Sequence, residues 1–167
     1  MSSTRSLTLS GLLIAAGIVA GIIFHSMGIG GQIALPLHYS PLLAGLLLGW
    51  RWGFAVGLVV PLLSALLTGM PPLIPSAILM VPELALYGAC CGLLRRLIGV
   101  YPALIISLIL GRIVWGLAAW SLIPLLGLEI PVLAALLASI VKGLPGIVGQ
   151  LIIVPLLVHR LEKIYQR

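Results

Sequence analysis

Charge is what this chain has least of: nine basic and three acidic side chains are spread through 167 residues. A soluble globule needs a polar surface, and 62% apolar residues with 7% charged ones cannot supply it. The mean hydropathy of +1.31 points the same way, so a bilayer is the solvent. Cysteine is equally scarce. Cys90 and Cys91 stand side by side in an apolar run, which gives neither C-x-x-C spacing nor a disulfide framework and leaves them as small packing residues. No Ser-rich linker, charged tail or polar block divides the chain, so residues 1–167 read as one membrane domain.

The signatures of chemistry are missing too. H-E-x-x-H and zinc-type Cys/His spacing are absent, so no metal is expected. The chain also lacks G-x-x-x-x-G-K-[ST] and a G-x-G-x-x-G that follows a strand. No cofactor is therefore expected on this chain, and energy from ATP has to come from partner subunits. Ser64, Ser76, Ser107 and Ser139 have no histidine at a spacing that ties one to them, so nothing supports a nucleophile. The net charge of +6 does not argue for nucleic acid, because the basic residues fall in short connections between apolar runs rather than on one wetted face.

What is present is a series of apolar runs punctuated by glycine and proline. A bilayer crossing needs about 20 residues, and six such runs predict an all-α integral membrane protein, a six-helix bundle. The first covers residues 7–25; it follows Arg5 but ends in Ile22, Ile23, Phe24 and His25, with no small-residue cleavage pattern, and reads as a retained helix. The second, 37–50, is entered through the loose stretch 27–36, which is free to fold back over the bundle. The third is 53–68, and the proline-rich turn 69–75 leads into a fourth that ends near Leu97 and whose prolines forbid one continuous helix. The fifth is 101–125. The sixth, 131–159, is long enough to need tilt or a break, for which Lys142-Gly-Leu-Pro-Gly146 is the expected place.

Basic residues set the orientation. With the N-terminus inside, Arg5, Arg51, Arg95, Arg96, Arg160, Lys163 and Arg167 all fall on the cytoplasmic side and the outer loops hold none, so both termini are expected inside. Trp50 and Trp52 flank an inner turn, as an interfacial belt would. Gly45, Gly49, Gly53 and Gly57, with Gly88 and Gly92, offer surfaces for close helix contact.

Three ions remain inside the spans: Glu83, Arg112 and Lys142. Helical rise places Glu83 roughly 12 Å and the two cations roughly 16 Å into a core about 30 Å thick. Ions at that depth mark a functional site by default. Two cations and one anion leave a positive surplus that suits a carboxylate or phosphate on a ligand; a packing ion pair between Glu83 and one cation is the alternative. Pro82 and Pro145 disturb the backbone beside the site. On helical spacing Glu83 shares a face with Tyr87 and Cys90, Arg112 with Trp115 and Gly116, and Lys142 with Gly146 and Gly149. Tyr87 and Trp115 can stack on a planar ligand or simply fill the core. His38 and Tyr39, where the glycine-rich stretch meets the second span, can cap a site that opens outward or serve structure alone.

The order of several stretches carries a resemblance. Leu35-Pro-Leu-His-Tyr-Ser-Pro-Leu-Leu-Ala-Gly-Leu-Leu-Leu-Gly49, Pro61-Leu-Leu-Ser-Ala-Leu-Leu-Thr-Gly-Met-Pro-Pro72, Glu83-Leu-Ala-Leu-Tyr-Gly88, Leu110-Gly-Arg-Ile-Val114 and Lys142-Gly-Leu-Pro-Gly-Ile-Val-Gly-Gln150 succeed one another along nearly the whole chain. In this it resembles the substrate-binding S components of energy-coupling factor (ECF) vitamin transporters, whose members serve vitamins such as pantothenate, folate and riboflavin. The resemblance implies a multi-pass protein of the bacterial plasma membrane that captures its ligand from outside, under the connections 28–36 and 69–75. It implies a transmembrane coupling subunit and two cytoplasmic ATPases as partners, with Ala16 and Ala20, at Ala-x-x-x-Ala spacing, meeting the coupling subunit; packing within the bundle is the other reading of that pair. It also implies that the subunit topples in the membrane to release its substrate.

The expectation is a non-enzymatic uptake subunit. Arg112 and Lys142 hold a carboxylate, and Glu83 orients them or accepts a ligand hydroxyl or amine. Pantothenate fits these groups best among the family's vitamins. An intramembrane enzyme acting on an anionic lipid, with Glu83 as base, is a second reading. A proton-coupled secondary carrier is a third, although no internal repeat or pair of discontinuous helices is visible. A structural subunit is a fourth.

Overall fold

An isolated segment in hydrocarbon must close its own backbone hydrogen bonds, and a helix is the way to do so. The computed structural model describes residues 3–28 and 30–165, and every regular element there is helical. In chain order these are α1 (Ser3–Ser26), α2 (Gly31–Ala34), α3 (Pro36–Leu48), α4 (Trp50–Thr68), a single π-turn (Leu73–Ala77) that runs into α5 (Ile78–Ile98), α6 (Val100–Leu125) and α7 (Val132–Tyr165). Six segments are long and apolar enough to cross a membrane, with α2 and α3 together forming the second. The expected six-helix architecture is therefore present. Arg167, one of the residues assigned to the inner side, lies outside the described residues.

Turns are tight where the sequence supplies glycine. A single residue, Gly49 (φ 99°), joins α3 to α4, and Gly99 (φ 85°) joins α5 to α6; a side chain at either φ would be strained.

Two proline expectations need correction. The break foreseen at Lys142–Gly146 does not occur, for α7 continues through Pro145 and Pro155. A proline removes one hydrogen bond, here the one that would reach the Val141 carbonyl, and a helix of 34 residues absorbs that loss. Likewise α5 passes through Pro82 unbroken, and the irregularity lies earlier, at Ile74 (φ −115°, ψ 129°), among Pro71, Pro72 and Pro75.

Lipid tails are as apolar as leucine, so close packing rather than dehydration holds such helices together. The seam is made of glycine. A Cβ on Gly45 or Gly53 would collide with the backbone of Gly88, one on Gly57 with Leu84, and one on Gly92 with Trp50. Gly49 is the exception among these glycines: it meets nothing and serves the turn instead. Around the seam, Leu42, Leu46, Val60, Leu84, Leu104 and Val154 form the buried core. A hydrogen bond from the Ser40 hydroxyl to the Leu13 carbonyl (2.7 Å) ties α3 to α1, against Gly17. The outward faces are Leu- and Ile-rich, for example Leu66, Leu97, Leu125 and Leu133. α7 is held most lightly, through one narrow stripe that includes Gly143, Gly146, Gln150, Val154 and Val158.

Candidate functional site

Glu83 stands one turn before Tyr87 on α5, and this spacing lets the Tyr87 hydroxyl donate to Glu83 Oε1 at 2.7 Å. Opposite, Arg112 from the middle of α6 brings Nη1 to 3.2 Å from the same oxygen. The carboxylate is 1% exposed and the guanidinium side chain 14% exposed. Taking both out of water is costly unless they pair, and here they do. Gly111 makes room for this arrangement, since a Cβ there would overlap the Tyr87 ring.

α3 contributes the fourth member. His38 is buried, its ring centroid lies 5.7 Å from that of Tyr87, and its Nε2 is 4.0 Å from Glu83 Oε1, too far for a hydrogen bond. Neither ring nitrogen of His38 has a hydrogen-bond partner among the described residues, and the same holds for Arg112 Nε. The cluster thus retains donors and acceptors that its own members leave unused.

The glycine-rich stretch folds back over this region, as the sequence suggested. α2 packs chiefly on α7, where Gly146 meets the backbone of Ile33 and Ala34. A Cβ placed on Gly143 would have Leu35, Arg112 Nη2 (3.5 Å) and the Gln32 carbonyl oxygen (3.7 Å) around it. Arg112 and α2 therefore come together at the Gly143 notch of α7. Leu35, between α2 and α3, adopts φ 50°, ψ 46°, a left-handed conformation that turns the chain sharply from one helix into the next. Beside α2 lies a cavity of about 220 Å³ whose wall includes Phe24, Tyr39 and Pro145. A larger one of about 520 Å³ sits at the other end of α3, near Trp52, Arg95 and Arg96, away from the cluster.

Not every expected residue joins. Lys142 is exposed and makes no ion pair among the described residues. Its neighbour Gly143 is the residue that faces Arg112, and one step along a helix rotates a side chain by about 100°. The expected face of Lys142, Gly146 and Gly149 is off by one register, and the cluster is a balanced pair of ions rather than a cationic surplus. Trp115 packs with Leu79, Ala119 and Ile123 in a separate apolar cluster. Cys91, not Cys90, is the buried cysteine, and both thiols are free. Tyr39 is half-buried with its hydroxyl against Gly149. On α1, Ala16 is exposed and Ala20 partly so. The sequence did not single out the buried polar residues Ser6, Ser10 and Ser40, nor the largest of this group, Gln150, 0% exposed on the inward stripe of α7. For Gln150 a polar side chain inside an apolar span was the available signal, weaker than a formal charge.

Searches among curated proteins and among solved structures return no match. A family model described as the substrate-specific component of ECF transporters matches residues 5–158, nearly the whole length. With six spans and a buried polar cluster beneath a folded-back segment, this chain belongs to the family of ECF transporter substrate-specific components.

Proposed function

We propose that this subunit captures a small carboxylate-bearing vitamin or vitamin precursor, with pantothenate the best match, at the Glu83–Arg112–Tyr87–His38 cluster. As a member of its family the chain is a membrane substrate-binding subunit of a transporter and not an enzyme, and it works with membrane coupling and ATPase subunits. The observation that carries the proposal is Arg112: a deeply placed guanidinium with a buried, unpartnered Nε beside a single carboxylate. A fork of N–H donors suits a ligand carboxylate in two-point contact. Glu83, already fixed by the Tyr87 hydroxyl, orients the guanidinium and accepts from a ligand hydroxyl. His38 adds a ring that can donate or accept.

Entry is assigned to the side of α2, whose seat on α7 is the Gly143–Gly146 notch, met by the Ile33 and Ala34 backbone and by the Leu35 side chain that follows α2. Lys142 and Trp115 have no part in this site. ATP is assigned to partner subunits, and the location to the bacterial plasma membrane with both termini in the cytoplasm, as the basic connections favour. Ala16 and Ala20 are assigned to the coupling-subunit contact, because Ala16 is not consumed by packing within the bundle.

One experiment tests the whole reading. The chain is purified with its native partners, its bound small molecules are identified by mass spectrometry, and the partners by peptide sequencing. A carboxylate vitamin accompanied by a coupling subunit and ATPases is expected; a lipid product with no ATPase would sink the proposal.

A further inference from the structure

α7 turns one narrow face to the bundle, and Gln150 stands on it in series with Gly143 and Gly146, at intervals of three and four residues. Gln150 is 0% exposed, and neither its Oε1 nor its Nε2 has a hydrogen-bond partner among the described residues. A buried primary amide surrenders its hydrogen bonds to water and, among the described residues, recovers none. Its neighbours on α7 lead toward the cluster. Gly149, the preceding residue, abuts the Tyr39 hydroxyl of α3, next to His38, while Gly143, two turns earlier, faces Arg112. α3, α6 and α7 thus each hold a buried polar atom with unused hydrogen-bonding capacity, on His38, Arg112 and Gln150, as α1 does on Ser10.

We propose that Gln150 is the second anchor of the substrate, pairing through its amide with an amide-type group on the ligand whose anion Arg112 holds. A primary amide offers N–H to a carbonyl and a carbonyl to an N–H, so an amide-type partner meets both needs together. A ligand with a carboxylate alone leaves the Gln150 amide unmet, and this sets specificity: a site built to hydrogen-bond a group rejects the analogue that lacks it. The inference rests on the carboxylate reading for the position of the anion, but not for the state of Gln150 itself.

The test uses the full chain in nanodiscs, as wild type, Gln150→Leu and Arg112→Ala. Two probes are titrated: pantothenate, which carries a carboxylate and an amide, and nicotinate, which carries a carboxylate and no amide. Gln150→Leu is expected to weaken pantothenate at least tenfold, to change any nicotinate affinity less than twofold, and to raise the melting temperature of the ligand-free chain. Unchanged pantothenate affinity, an equal loss for both probes, or a lower melting temperature overturns the proposal. Where wild type binds neither probe, melting decides alone: a rise upholds an amide held unmet for a ligand, and a fall shows a structural one. Gln150→Met serves in the same way should the Leu variant not fold. Failure of the carboxylate reading shows up separately, as Arg112→Ala binding both probes like wild type.

Discussion

At the scale of single residues, the central question is whether Glu83 and Arg112 exist for each other or for a ligand. Removing one partner of a buried pair strands the other charge, at a cost of about 3–5 kcal/mol, whereas replacing both with apolar groups of similar volume is often neutral. Glu83→Leu alone is therefore expected to lower stability by about that amount, measured by unfolding in detergent. Glu83→Leu with Arg112→Leu and Tyr87→Phe, which also removes the stranded hydroxyl, should recover most of it while binding no ligand. A triple variant as unstable as the single one would show that the ions serve the fold. Chemical type was the legible part of this site: charge in an apolar run is enough to mark Glu83 and Arg112. Lys142 was misplaced because one residue of register decides whether a helical side chain faces inward, and neither Gly143 nor Lys142 advertises its direction. His38 was readable only as a candidate, since its depth depends on how α2 and Leu35 turn the chain.

At the scale of the helix, glycine decides what can touch. Gly88→Ala would push a methyl into the backbone of Gly53, whose Cα lies 2.7 Å from the added carbon. Backbone cannot swing aside as a side chain does, so α4 and α5 must part, at an expected cost of about 1–3 kcal/mol. A melting temperature unchanged by Gly88→Ala would refute the seam. On α1 the prediction runs the other way. Ala16→Leu with Ala20→Leu adds bulk to a face the bundle leaves open at Ala16, so ligand affinity should stay within twofold while co-purification of the coupling subunit falls. Equal loss of both would return these alanines to internal packing. Helix positions were legible from the spacing of glycine and proline, but proline overstated the breaks. Losing one hydrogen bond in a long, otherwise satisfied helix is tolerated, which is why α5 and α7 run on.

At the scale of the whole molecule, six crossings return the end of α7 to the side from which α1 starts, and the proposed orientation makes that side the cytoplasm. In a background of Cys90→Ala and Cys91→Ala, Glu129→Cys should react with a membrane-impermeant maleimide on intact cells, and Arg160→Cys only after permeabilisation. The reverse pattern would invert the topology. The overall architecture was the most legible property of all, because lipid permits so few alternatives to a helix; the fold-back of α2 was foreseen only as a possibility, since its seat is made of glycines far along the chain. That seat has an evolutionary consequence. Gly146 receives the backbone of Ile33 and Ala34 rather than their side chains, so α2 can exchange what it displays without being unseated. Randomising Gln32 and Ile33 should yield chains of unchanged melting temperature and altered ligand preference, a route by which one scaffold diversifies its diet while its framework stands still.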